Sequence, residues 1–191
     1  MPNWCDNQLS ITGPNSVIDK IEKIVKEESN DAEKGLLQFF HPMPEELMET
    51  EAGPIAKTKK EKNARQARKL EFGAENWYDW RVNNWATKWE VCEFYGVDRQ
   101  HLNDSLDEST ISFGFSSAWS PPIGAYEKFL ENNSNCFIRA YYYEGGCDFM
   151  GLWEDGVDDC YAPSDYKSTD DFWQDGIGST LDDVFNITES M

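Results

Sequence analysis

Apolar residues recur at every second position near the start of the chain and at every third or fourth position soon after. Cys5, Leu9 and Ile11 share one face of a run in which the intervening residues are mostly polar, so a half-buried strand is expected over 5–11, ended by Gly13-Pro14. Asn7 falls on that same face, as a buried amide serving neighbouring backbone or, alternatively, a site group. Ile18, Ile21, Ile24 and Val25 then form a stripe at helical spacing, and Ser16 with Asp19 stand at an approximate capping-box spacing. A helix that packs on a sheet follows from this. Leu36 to Phe40 is a short apolar run closed by His41-Pro42-Met43-Pro44, and a short helix is expected around 45–49.

The middle of the chain is less regular. Residues 57–71 are highly charged with almost no apolar face, which predicts an exposed helix or a mobile insertion. A helix over 76–88 would place Trp77, Trp80, Arg81, Asn84 and Lys88 on one broad face, with Trp85 at its edge. Alternation over 89–95 predicts a strand, and the polar, turn-rich stretch 98–109 separates it from another over 110–115, where Ile111, Phe113 and Phe115 share a face. Ser120 is placed to cap a helix opened by Pro121 and striped by Ile123, Tyr126, Phe129 and Leu130. A strand over 135–143, the hairpin signal Glu144-Gly145-Gly146 and a returning strand over 147–153 complete the pattern. Beyond Asp155 the chain is acidic and turn-rich, with Phe172-Trp173 and residues 181–187 as docking points.

That order of elements predicts an α+β fold: a ferredoxin-like sandwich with an antiparallel sheet and helices on one face. The 191 residues read as a single domain, 1–191, with a core over about 3–155, a charged helical insertion over about 42–88 and an acidic C-terminal extension, 156–191. No stretch approaches the roughly 20 apolar residues of a membrane span, and neither a basic region nor an apolar run of signal type opens the chain, so the expectation is a cytoplasmic protein without membrane association.

Charge changes this picture. The net charge of −19 conceals a basic segment, 57–69, whose seven Lys and Arg against one Glu give +6, so the remainder carries −25. Residues 141–191 hold thirteen Asp or Glu against Lys167 alone. A field of that sign repels nucleic acid and anionic membrane and attracts basic proteins, although simple solubility or a salt-adapted cytoplasm would also favour it. Tyr141, Tyr143, Phe149 and Trp153 lie on adjacent predicted strands, where they could stack bases, but the charge argues against direct nucleic-acid binding.

Little else carries chemistry. Cys5, Cys92, Cys136, Cys147 and Cys160 are odd in number and scattered, and all but Cys160 sit in strand-like runs as small apolar residues. With His41 and His101 the only histidines, no zinc spacing exists, and no cofactor motif is found. Asp155, Asp158 and Asp159 fall short of a calcium loop and read as a solvated turn. The candidate ligand-binding residues are Trp77, Asp79, Trp80, Arg81, Asn84 and Lys88, with Trp119 from a later segment. Their aromatic faces suit a base or a cation and their polar groups give direction. The structural alternative makes the tryptophans core anchors and pairs Asp79 with Arg81 or Lys88.

Three segments, Met1-Pro2-Asn3-Trp4-Cys5-Asp6-Asn7, the block from Trp77 to Trp89, and Ser117-Ala118-Trp119-Ser120-Pro121-Pro122, together resemble the phage- and plasmid-borne proteins described as carrying a YubB ferredoxin-like domain. The resemblance extends from the N-terminus to about Trp153. It implies the ferredoxin-like fold and a mobile-element origin, and it brings no activity with it. Joined to the charge, it leads to a non-enzymatic acidic binding protein that engages a basic host or mobile-element protein, in one version by imitating nucleic acid. The alternative is an enzyme or sensor holding a nucleotide-sized ligand at the Trp77 to Trp89 block.

Overall fold

The computed structural model describes residues 3–27, 34–53, 58–103 and 107–190. Met1, Pro2 and Lys57, which belong to the first motif and to the basic segment, lie outside them. Strand β1 (Trp4–Pro14) runs directly into helix α1 (Asn15–Glu27), so the helix starts one residue before Ser16, and Ser16 and Asp19 lie inside it. Three short or exposed helices follow, α2 (Leu36–Phe40), α3 (Glu45–Met48) and α4 (Lys59–Phe72), then α5 (Trp77–Trp85). Strands β2 (Cys92–Asn103) and β3 (Glu108–Ala118), helix α6 (Ile123–Asn132) and strands β4 (Phe137–Glu144), β5 (Phe149–Glu154) and β6 (Val157–Tyr161) come next. Helices α7 (Thr169–Gln174) and α8 (Gly176–Phe185) follow, and then a short 3-10 turn, Ile187–Ser190.

The fold is α+β. The six strands among the described residues form one antiparallel sheet in the order β2-β3-β1-β4-β5-β6. Leu9 stands between Phe113 and Ala140, and Ile11 between Ile111 and Ile138, so alternate residues of three central strands share one buried face. Ile18, Ile21 and Val25 of α1, with Tyr126 and Phe129 of α6, close over that face in a single apolar cluster that also takes in Phe40, Trp80, Trp85 and Trp153. At roughly 25 cal/mol per Å² of apolar surface, this layer is the main source of stability.

Among the described residues the opposite face is covered at one end only. A second cluster of Met150, Phe172, Leu181 and Ile187, with Tyr141 and Tyr143 packed against it, seats α7 and α8 behind β4 and β5. Phe172, Leu181 and Ile187 dock as expected whereas Trp173 stays half exposed, and the segment places helices on both sides of the sheet, where one face was expected. Many of its acids serve as local acceptors: Asp175 accepts from Ile177 N and Tyr166 OH, and Asp182 accepts from Trp173 Nε1 and from Thr188.

Several boundaries differ from expectation for a physical reason. Strand β2 runs through the first half of the stretch read as turns, because an irregular edge strand with three register shifts shows no apolar period. Strand β6, whose residues are all exposed, is equally silent. Ser120 does not cap α6: that helix follows Pro122 with no side-chain cap, and the Ser120 hydroxyl instead donates to Ala86 O. Of the five cysteines only Cys5 and Cys136 are buried, whereas Cys147 and Cys160 are exposed.

Candidate functional site around three tryptophans and a lysine

Helix α5 is fixed at its start by Asn76, whose Oδ1 accepts from Tyr78 N (2.9 Å) and Asp79 N (3.0 Å) while its Nδ2 donates to Asp79 Oδ2 (2.7 Å). It ends at Trp85, three residues short of expectation, because Ala86 turns into the left-handed region at φ 66. Close contact sets its seat: a Cβ at Gly124 of α6 would collide with Asn84 O. Lys88 and Trp89 therefore lie on a loop that crosses the end of β3. The loop is held by Thr87, whose hydroxyl donates to Ala118 O (2.7 Å), and by Glu90, whose carboxylate accepts from Leu37 N (2.7 Å), Gln38 N (3.1 Å) and Val91 N (3.2 Å). Burial pushes the Glu90 carboxyl above its ordinary range.

The other two motif segments meet this loop. Trp119 N donates to Asn3 O (3.0 Å), and Asn7 Nδ2 donates to Ser117 Oγ (2.9 Å), which in turn donates to Ser120 O (2.8 Å). Asn7 is thus the expected buried amide, although its Oδ1 has no partner among the described residues. Segments more than 100 residues apart are knitted into one corner.

Two cation–π assemblies result. In the first, Arg81 lies between Trp77 and Trp85, its Cζ 5.3 and 4.7 Å from the ring centroids. Arg81 is 9% exposed, Trp80 and Trp85 are buried, and desolvation holds the guanidinium below its ordinary pKa. In the second, Lys88 Nζ stands 3.9 Å from the centroids of both Trp89 and Trp119. Trp4 packs on Trp89 at 5.9 Å and Tyr78 meets Trp119 edge-on at 6.5 Å. These three tryptophans remain open, Trp4 at 43%, Trp89 at 37% and Trp119 at 40% exposure. Trp119 also sits at φ 74, a conformation that costs a bulky residue on the order of 1–3 kcal/mol.

The seven candidate residues thus divide. Trp77, Trp80 and Arg81 belong to the inner assembly. Lys88 and Trp119 form the outer one, joined by Trp4 and Trp89, which the block of candidates omitted. Asn84 Nδ2 turns back to Trp80 O (2.8 Å). Asp79 faces a separate hollow of about 460 Å³ with Arg65, Glu75 and Tyr78. No ion pair joins Asp79 to Arg81 or Lys88 among the described residues. Of the aromatics considered for base stacking, Trp153 is buried and Tyr141 and Tyr143 lie against the C-terminal helices.

Beside the outer assembly none of the described helices packs on the sheet face over β1, β3 and β2. That face presents Asp6, Gln8, Ser10, Thr12, Ser112, Tyr95 and Asp98, all exposed or half-buried. Ser116 Oγ donates to Glu93 Oε2 (3.4 Å), which places the Glu93 carboxylate on the same face. Burial, together with the nearby Glu93 and Glu144, raises the Asp6 carboxyl pKa. The nearest sheet cation, Arg139, is engaged by Glu154 at 2.5 Å. No cluster of three or more metal-ligating side chains occurs among the described residues, and no helix there is long and apolar enough to cross a membrane.

No family model and no curated protein matches the chain. Among solved structures it is similar to the crystal structure of a protein api92 from Yersinia pseudotuberculosis, family-model DUF1281. The identity is 12% over 87% of this chain and 96% of that one, with a TM-score of 0.40. At that level nothing about architecture or activity transfers.

Proposed function

We propose that this protein is a non-enzymatic binding protein of a phage or other mobile element, acting in the host cytoplasm, whose acidic surface engages a basic, nucleic-acid-binding protein of the host. The origin rests on the resemblance of the three motif segments to YubB-type proteins. The order β2-β3-β1-β4, with every neighbour antiparallel and α1 and α6 over one face, supports a ferredoxin-like core extended by β5 and β6. The observation that carries the function is the sheet face left uncovered by the described residues: its charged groups over three strands include Asp6, Glu93 and Asp98, and it adjoins three exposed tryptophans. An incoming cation relieves carboxylates gathered without one, and exposed aromatic surface rimmed by charge marks a docking area.

The ligand-binding alternative calls for Trp77, Asp79, Arg81 and Lys88 around one cavity, and those side chains point to three different surroundings. The acidic-face reading is preferred for that reason. Its test is affinity capture of the tagged protein from a nuclease-treated host lysate, eluted by salt, beside the variant Asp6→Asn/Glu93→Gln/Asp98→Asn. A stoichiometric basic partner should be captured by the wild type and bound at least roughly tenfold more weakly by the variant, three rim charges being worth about 0.5–1 kcal/mol each. A partner held equally by both proteins removes the acidic face from the function. Competition by DNA for the same partner distinguishes imitation of nucleic acid from simple charge pairing.

A further inference from the structure

The outer assembly has features that a merely structural contact does not need. A single stacked tryptophan would suffice to quiet a surface lysine, yet Lys88 Nζ is equidistant, at 3.9 Å, from two indoles that stay about two-fifths exposed. No ion pair or hydrogen bond engages the ammonium among the described residues, so the rings are its recognised neighbours there. The walls are prepared independently of the lysine. Trp119 is held at φ 74 by the hydrogen bond from its own N–H to Asn3 O, and Trp89 is backed by Trp4. Strain retained at an exposed aromatic residue, in a site whose shape is fixed from outside, is typical of a preformed receptor.

We infer that the space between Trp89 and Trp119 is a slot for a primary alkylammonium group, filled in the free protein by the chain's own Lys88, which a lysine side chain of the basic partner displaces. The inference rests on the basic-partner proposal and adds the chemistry of its anchor. Desolvated ammonium groups over tryptophan faces gain most among the aromatic residues, and the acidic face beside Trp4 supplies the longer-range attraction that brings a lysine there.

The test needs no partner. In Lys88→Ala the slot is vacated, and n-propylammonium, which carries the atoms removed, should bind saturably in the millimolar range, read by tryptophan fluorescence and by the indole N–H resonances of Trp89 and Trp119. The neutral n-propanol should bind at least about tenfold more weakly. Trp119→Ala in the Lys88→Ala background should abolish binding, and Lys88→Met, which fills the space with an uncharged chain, should block it. In the wild type, the Lys88 ε-methylene protons should be shifted upfield by the two rings and should return toward ordinary values on titration with a peptide of lysines separated by glycine. Absence of saturable propylammonium binding in a folded Lys88→Ala protein, or binding that survives loss of Trp119, overturns the slot. An unmoved Lys88 resonance on saturation with the peptide overturns displacement. The basic-partner proposal itself stands or falls separately, on the Asp6, Glu93 and Asp98 variant.

Discussion

Two tryptophan–cation assemblies lie within a dozen residues of one another, and only one of them is open to solvent. Around Arg81, a residue 9% exposed, the rings of Trp77 and Trp85 enclose a guanidinium whose Nε has no partner among the described residues. Around Lys88, Trp89 and Trp119 hold an ammonium at the surface. The chemistry is similar and the consequence differs. A buried cation between rings has exchanged water for packing, so its worth lies in the fold, whereas the half-buried Lys88 stands between rings that stay about two-fifths exposed and within reach of another molecule.

If that contrast holds, substitutions in the inner assembly cost stability and those in the outer one cost binding. The largest effect is expected from Trp85→Ala, which empties a fully buried site and orphans the acceptor of its Nε1 donation, His41 O (2.8 Å). A loss of about 3–5 kcal/mol should appear in urea unfolding. Arg81 comes next. Arg81→Ala should cost about 2–3 kcal/mol, while Arg81→Met, which keeps the bulk and removes a desolvated charge, should stay within about 1 kcal/mol of wild type. An equal loss in both variants would mean that the charge itself, with Glu90 near it, is needed.

In the outer assembly the backbone should matter more than the ring. Trp119→Gly should be more stable than Trp119→Ala by about 1 kcal/mol, because glycine tolerates φ 74. Lys88→Ala should change stability by less than about 1 kcal/mol. The smallest expected signal is a pH slope from His41, edge-on to Trp80 at 4.9 Å, whose pKa burial lowers from 6.5. The unfolded chain then binds more protons between the lowered value and 6.5, so this contribution to stability is present above 6.5 and is lost as pH falls through that window. Thermal unfolding of His41→Gln should lack that part of the slope. In the outer assembly the expected pH effect is on binding: affinity for a basic partner should fall as acid protonates Asp6, beginning above the ordinary aspartate value of 3.8.

The inner assembly was largely legible. Helical spacing already placed Trp77, Trp80 and Arg81 on one face, and the stripes of α1 and α6 and the alternation of β1 and β3 are in the core as expected. The outer assembly was legible only in fragments. Trp119 and Lys88 stood out, but Trp4 and Trp89 joined them through hydrogen bonds such as that from Trp119 N to Asn3 O, across 116 residues. Strand β6 has no apolar period, and its one local sign is the Asp155-Gly156 dipeptide, which turns the β5–β6 hairpin with φ 46 and φ 93.

By itself the sequence determined the elements that have one dry side and one wet side, the α+β class that their order implies, and the strongly acidic balance, because each is written in local period or in composition. Tertiary structure alone decided which tryptophans are enclosed and which are open, that the acidic C-terminal segment closes the far side of β4 and β5, and that no described helix covers the remaining sheet face. Those outcomes depend on which distant surfaces meet. Burial is a property of the pair in contact, so no window of the chain read alone contains it.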